Sequence, residues 1–382
     1  MADTNTTALA GLVKVAYDRY VEFALRSQPL VRSVADKRPA QQAMPGSSVV
    51  FSLYNDLAAA TSALSEATDP DAVALSDVST TSVTLAEYGN ASLVTRKLQL
   101  FSLSDVDPAV ADIIAFNMAD SLDKLAMETL RQGTNVIYGG TVTSTATVSS
   151  ADTLTSAKIR RAVAKLRSNK AVPRQGSLYW AGIHPEVSHD LRAETGSVGW
   201  RDIHAQTDSA QGNLWAGTIG TYEGAFFVET PRMYEKAEGA NQSTFTTTTA
   251  ATGASGTTTI TVASTSGIDV GDGVAISATT GASTLVSAIN GAVLTLSVAT
   301  TAAVTSGATV TITPKTNVFR TILAGKQALA EAVAQEPGVV IGPVTDKLMR
   351  FRPIGWYGVL GWSRYREEAL YRIETGSSIA AL

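Results

Sequence analysis

Between Asp56 and Ser82 the chain carries five acids (Asp56, Glu66, Asp69, Asp71 and Asp77), no lysine or arginine and no aromatic residue. The remainder is mostly alanine, serine and threonine. Such a segment has too little apolar surface to offset the entropy of ordering it, so it cannot build a core of its own. Strand-like segments flank it. In Ser47 to Leu53, Val49 and Phe51 alternate with smaller neighbours; in Val83 to Phe101, Leu93, Thr95, Lys97 and Gln99 share one face while Val94, Arg96, Leu98 and Leu100 share the other. Residues 46 to 101 therefore read as one long two-stranded excursion with an acidic tip. An isolated hairpin is marginal in water, and structureless loops of this length are uncommon in compact domains. Two arrangements follow: the excursion lies on another subunit, or it folds back on its own domain as an ordinary surface region.

The rest of the chain is able to fold. Its 382 residues are 45% hydrophobic and 17% charged, enough for a core and two or three packing units. No apolar run approaches the roughly 20 residues a membrane helix needs. The first fourteen residues lack the basic-then-apolar order of a secretion signal, so no export and no cleaved leader are expected. With no cysteine, disulfides, thiolate nucleophiles and cysteine-based metal sites are excluded. A net charge of −4 argues against general polyanion binding.

Along the chain, Thr7 to Arg38 reads as a mixed helical and extended arm, with Val13, Tyr17 and Tyr20 at helical spacing. The clearest helix runs from Pro108 to Gln132, with Asp107 as N-cap, Gly133 as stop, and Val110, Ile113, Ile114, Leu122, Leu125 and Leu130 as its apolar stripe. A second helix, Leu154 to Ser168, is one-sidedly basic through Lys158, Arg160, Arg161, Lys165 and Arg167. Those cations fit a solvated face, a docking surface for a neighbour's acidic tip, or a patch facing DNA. A strand at Ser177 to Ile183, a helix at Pro185 to Arg192 and a strand at Gly224 to Glu229 form a small α/β unit with Trp180, Trp200, Trp215, Tyr222 and Phe226 as anchors.

At about Lys236 the composition changes. From Asn241 to Pro314 the only charges are Asp269 and Asp272 and the only aromatic is Phe245. Alternating runs at 257 to 263, 273 to 277, 283 to 289, 293 to 298 and 308 to 313, with Asn290-Gly291 as a turn, predict a five-stranded inserted β module over residues 236 to 316. The host resumes with a strand at Val318 to Leu323, a helix at Gln327 to Ala334, and strands at Gly338 to Ile341 and Phe351 to Trp362. The order is α+β rather than a regular βαβ repeat.

Several stretches carry a resemblance. Phe51-Ser-Leu-Tyr-Asn-Asp-Leu, Leu85-Ala-Glu-Tyr-Gly with Val94-Thr-Arg-Lys-Leu, Ile183-His-Pro, Gly217-Thr-Ile-Gly leading to Phe226-Phe-Val-Glu-Thr, Phe351-Arg-Pro-Ile-Gly-Trp-Tyr-Gly and the closing Arg372-Ile-Glu-Thr-Gly-Ser are the segments concerned. In their order they resemble the major capsid proteins of tailed bacteriophages with the Hong Kong 97-type (HK97-like) fold, in the subgroup related to the coat protein of phage N4. The resemblance implies an N-terminal arm (1–45), an extended hairpin or E-loop (46–104), a peripheral domain (105–175 and 317–382) with spine helix 108–132, and an axial domain (176–235). The insert (236–316) departs from the simplest members. The implied role is structural: self-assembly through hexamers and pentamers into an icosahedral head around a double-stranded DNA genome. Portal, scaffolding and decoration proteins are the implied partners, with packaged DNA touched weakly, no membrane, and assembly in the host cytoplasm. Glu66, Asp69, Asp71, Asp77, Arg96, Lys97, Arg160, Arg161, Lys165 and Arg167 are the candidate subunit-interface residues.

No catalytic, cofactor or metal residue is assigned. His184 and His189 miss the i, i+4 spacing of a helical zinc pair, no Gly-x-Ser-x-Gly turn is present, and Gly325-Lys326 lacks the rest of a phosphate loop. Asp269 and Asp272 beside Gly267, Gly271 and Gly273 fit hydrogen-bonded turn residues better than a calcium site. A tail or host-attachment β protein would explain the threonine-rich module but not the capped long helix. A hydrolase with a β insertion would explain the host but offers no nucleophile and base.

Overall fold

The computed structural model describes residues 29–39, 48–53, 57, 59–61, 63, 79–101, 106–194, 218–233, 235–276, 284–343, 348 and 350–379. The helical spacing expected before Pro29, the acids Asp56 to Asp77, and Trp200 and Trp215 lie outside them. In chain order the elements are β1 (Asp36–Pro39), β2 (Ser48–Leu53), β3 (Ser79–Thr84), β4 (Ala86–Thr95), α1 (Arg96–Phe101), α2 (Val106–Leu130), β5 (Val136–Tyr138), α3 (Ser156–Ser168), β6 (Tyr179–Ile183), α4 (Pro185–Ala193), β7 (Thr218–Tyr222), β8 (Ala225–Glu229) and β9 (Glu235–Asn241). Then follow β10 (Phe245–Thr248), β11 (Thr259–Thr261), β12 (Gly273–Ile276), β13 (Val286–Asn290), β14 (Val293–Leu296), β15 (Thr309–Thr313), β16 (Lys315–Ala324), β17 (Leu329–Ile341), β18 (Phe351–Arg364) and β19 (Leu370–Thr375).

Two host sheets share one helix. The first has the order β1-β17-β18-β4; the second runs β5-β19-β16-β6-β8-β7, with β9 also paired to β16. Along the first sheet, α2 buries Ile114 and Leu122 against Val94, Val333, Ile354, Trp356 and Leu360. Its C-terminal half buries Ala126, Met127 and Leu130 against Trp180, Val228, Ile322 and Leu370 of the second sheet. At 25 residues, or about 37 Å, the helix is long enough to bridge both. Of the expected stripe, Ile113 is exposed and Leu125 half-buried, because Ala126 and Met127 hold the inward positions instead. Asp107 falls inside the helix, which begins at Val106. Pro108 is tolerated there because N–H groups in the first turn have no intrahelical acceptor. Gly133, after the helix, sits where a Cβ would meet the Leu370 side chain at 2.8 Å.

The opposite face of the second sheet carries α3 and α4. Ile159, Ala162, Val163 and Leu166, then Val187 and Leu191, close over Tyr179, Ile183, Phe227, Phe319 and Leu323. The spacing of the α3 set is that of one helical face.

Three expectations are corrected. Residues 327–334 are not a helix: Leu329 onward forms β17, whose first five residues are all buried between β1 and β18. Alanine, leucine and glutamate favour helix intrinsically, but enclosure on both sides of a central strand overrides propensity. Residues 96–101 are not the end of a strand but a short helix. And the excursion does not lie wholly on a neighbour. β2 and β3 pair antiparallel from Ser48/Thr84 to Leu53/Ser79, and this base packs on its own chain, with Phe51 and Val83 buried against Ala330, Ala332 and Tyr365. β4 pairs with β18 over its full length.

The stretch poor in charge forms two three-stranded sheets, β10-β15-β12 and β11-β14-β13, around their own core of Ile260, Val262, Val274, Leu294, Val310 and Ile312. Each of the five expected strands is present in part; β10 is a sixth that sequence reading did not see. Gly291, at φ +57°, turns the β13–β14 hairpin.

Candidate assembly surface

Helix α3 is the site the sequence most clearly predicts. Its inward face is apolar, so Arg160, Arg161, Lys165 and Arg167 are driven together onto the exposed arc. Glu194 holds the helix start, accepting from Ser156 N at 2.9 Å and from Ser156 Oγ at 3.0 Å, a placement the helix dipole favours. Lys165 and Arg167 in the last turn complement the other end. The Lys158 ammonium donates to the Gly140 carbonyl at 2.7 Å. Only Arg160 has an ionic neighbour, Glu223 at 3.6 Å; among the described residues Arg161, Lys165 and Arg167 make no ion pair. The arc is therefore a cationic surface that the described residues leave nearly uncompensated.

Arg96 and Lys97 are exposed at the start of α1, where Arg96 N donates to Arg350 O at 2.9 Å. Helix α1 packs on β4 and α2, whereas α3 packs on β5 and β19. The two cationic sets thus belong to different sheets and form separate patches. Glu66, Asp69, Asp71 and Asp77 lie outside the described residues.

His184 and the Asp269–Asp272 turn are structural. His184 Nδ1 accepts from Glu186 N at 3.4 Å as the cap of α4, and its ring stacks on Phe319 with centroids 4.9 Å apart. Burial lowers its pKa to about 4, so it caps as the neutral base. Burial, then repulsion from neighbouring carboxylates, raises Glu186 and Glu235. Asp272 Oδ2 accepts from Asp269 N at 2.7 Å and Oδ1 from Lys315 N at 3.0 Å, locking the module's root. Among the described residues no cluster of three or more His, Asp or Glu side chains is placed to hold a metal ion.

Sequence reading missed the buried ionic network that fastens the arm. Arg32 Nε donates to Glu331 Oε1 at 2.9 Å, and Arg32 N to Asp123 Oδ1 at 2.9 Å. Arg232 reaches both Asp120 and Asp123. Burial raises the Asp123 carboxyl against the lowering pull of these donors. Arg320 likewise joins Glu374 and Glu238, each at 2.9 Å. Arg32 and Glu331 are 299 residues apart, so no local pattern could have linked them.

A family model described as phage capsid protein matches residues 127–378, most of the chain. The chain belongs to the phage capsid protein family. This capsid protein matches no curated protein sequence. Its fold is similar to that of solved capsids. The capsid of Ralstonia phage GP4 matches with a TM-score of 0.61 at 12% identity over 98% of each chain. The cyanophage Pam1 capsid matches at 0.61 and 13%, over 99% of this chain and 100% of that one. The head of Helicobacter pylori bacteriophage KHP40 matches at 0.59 and 14%, over 98% and 99%. The capsid protein is thus α+β with the Hong Kong 97-type architecture. It is a major capsid protein, a structural subunit whose copies associate into the icosahedral head shell of the virion.

Proposed function

We propose that the shell is held by many weak polar contacts in which the α3 arc of one subunit (Arg160, Arg161, Lys165, Arg167) receives the acidic segment Glu66, Asp69, Asp71 and Asp77 of a neighbour, while Arg96 and Lys97 form a second, separate interface patch. The observation that carries this reading is the exposure of Arg161, Lys165 and Arg167 without an ion pair among the described residues, beside Arg160, which has only Glu223 at 3.6 Å. Each exposed ion pair contributes about 0.2–1 kcal/mol. Repeated around a closed shell, such contacts add through multivalency without any strong single bond.

On this reading residues 1–45 are the arm, 46–104 the hairpin, 105–175 with 317–382 the peripheral domain, 176–235 the axial domain and 236–316 the inserted module, within the subgroup related to the phage N4 coat protein. The protein has no enzymatic activity and carries no cofactor. It assembles in the host cytoplasm, with portal, scaffolding and decoration proteins as partners. It touches packaged DNA weakly, consistent with its net charge of −4.

The test is charge reversal. R160E/R161E subunits are expected to stay soluble and folded while closed particles disappear from sedimentation profiles and negative-stain images. A double reversal of acids, D69K/D71K, should recover particles in the R160E/R161E background. Normal particle yield from R160E/R161E alone overturns the docking assignment.

A further inference from the structure

We propose that the outer edge of β4, residues 86–93, is completed by an extended strand from a neighbouring copy, making the first sheet continuous across a subunit boundary. The inference rests on the capsid reading and adds where, and by which backbone groups, copies join.

β4 is the last strand of the β1-β17-β18-β4 sheet, and its register with β18 runs unbroken from Ala86/Leu360 to Thr95/Phe351. The direction of its free groups follows from one bond. Arg96 N donates to Arg350 O, one step beyond the Thr95/Phe351 pair. Bonded and non-bonded pairs alternate in an antiparallel ladder. Val94, Ser92, Asn90, Tyr88 and Ala86 therefore bond β18, while the N–H and C=O groups of Glu87, Gly89, Ala91 and Leu93 point away from the sheet. Among the described residues no strand receives them.

The edges formed by β1, β5 and β7 are guarded. β1 carries Lys37, Arg38 and Pro39. β5 is three residues long. β7 is broken by an irregularity between Thr218 and Gly220. Charge, proline, shortness and bulges are the devices that stop strands from adding to an edge. β4 carries only the single charge of Glu87: it is ten residues long, regular, free of proline, lysine and arginine, and exposed from Ala86 to Leu93 except at half-buried Tyr88.

Small residues let β4 lie close on β18: a Cβ on Gly89 would meet Trp356 O at 2.7 Å, and one on Gly355 would stand 2.9 Å from that of Ala91. Leu93 near the end of the strand and Leu98 and Leu100 in α1 are 61%, 50% and 74% exposed. An apolar shoulder continuous with an open edge suits a strand that brings both backbone partners and side-chain burial. Among identical subunits held side by side in a shell, the strand available at fixed distance and high effective concentration is another copy's.

Hydrogen exchange with residue-level mass spectrometry, on free wild-type subunits and on assembled shells, reads the edge directly. The amides of Glu87, Gly89, Ala91 and Leu93 are expected to slow by on the order of 100-fold on assembly. Those of Tyr88, Asn90 and Ser92, already bonded to β18, should change much less. A91P removes an outward N–H while keeping the ladder to β18. Its subunits should keep wild-type circular dichroism and lose closed shells. Equal exchange of the outward amides in shells and free subunits overturns the inference, as does wild-type shell yield from A91P. Should A91P not fold, the wild-type exchange result decides alone. If wild-type chains form no shells at all, it is the capsid assignment that fails.

Discussion

Replacing Arg32 by methionine asks what fastens the arm base to the body. Glu331, which accepts from Arg32 Nε, is fully enclosed, whereas the Arg32 side chain keeps 22% of its surface. Methionine retains the aliphatic stem, so little packing is lost, but the Glu331 carboxylate is left buried without its counter-charge. Removing one partner of a buried pair costs about 3–5 kcal/mol, a large share of a typical stability of about 5–15 kcal/mol. The reciprocal change, Glu331→Gln, is milder at about 1 kcal/mol, because Arg32 lies 3.9 Å from Glu336 and has a route to water. R32M/E331Q removes both charges and should regain most of the R32M loss. Urea denaturation of free subunits, followed by circular dichroism, measures this. With an m-value of about 3 kcal/mol/M, R32M lowers the midpoint by about 1–1.7 M. An R32M midpoint equal to wild type, or a double variant no more stable than R32M, refutes the reasoning.

Three further outcomes are expected. Phe51→Ala empties the contact with Tyr365, whose ring centroid lies 5.4 Å away; a cost of about 3–5 kcal/mol should appear as faster hydrogen exchange in β2 and β3 with α3 unchanged. His184 has a folded pKa lowered from 6.5 to about 4, so the folded state binds fewer protons than the unfolded one in that window and stability falls as pH drops through it. The contribution is on the order of 3 kcal/mol; Glu186 and Glu235, whose folded pKa values are raised, act in the opposite sense, so the measurement is the difference in pH slope between H184N, which keeps a capping side chain, and wild type. Asp272→Ala leaves the Asp269 and Lys315 N–H groups without their acceptor, costing about 1–3 kcal/mol; limited proteolysis should then cut within 245–313 while the host sheets remain intact.

What was legible in the sequence was local. α2 and α3 could be read because their apolar residues recur at helical spacing, and the module strands because alternation survives even where side chains are small. β17 was misread because Ala328 to Ala334 is helix-forming when taken alone, and only β1 and β18 on either side make it a strand. Residues 96–101 alternate and are largely exposed, so neither period decides them. The α3 arc was predictable from one-sided charge. The Arg32–Glu331 and Arg320–Glu374 pairs were not, since their partners meet only through tertiary folding. The open edge of β4 is a property of sheet order, which no strand reveals about itself.

The module's root has a consequence for how such a head protein can change. Asn241, closing β9, and Lys315, opening β16, are direct cross-strand partners, so the chain leaves the host and re-enters it at one point. Its hydrophobic interior shares no residue with the four host clusters. Descendants can therefore trade, trim or discard this appendage by recombination at a single doorway, and the geometry by which subunits tile is inherited untouched.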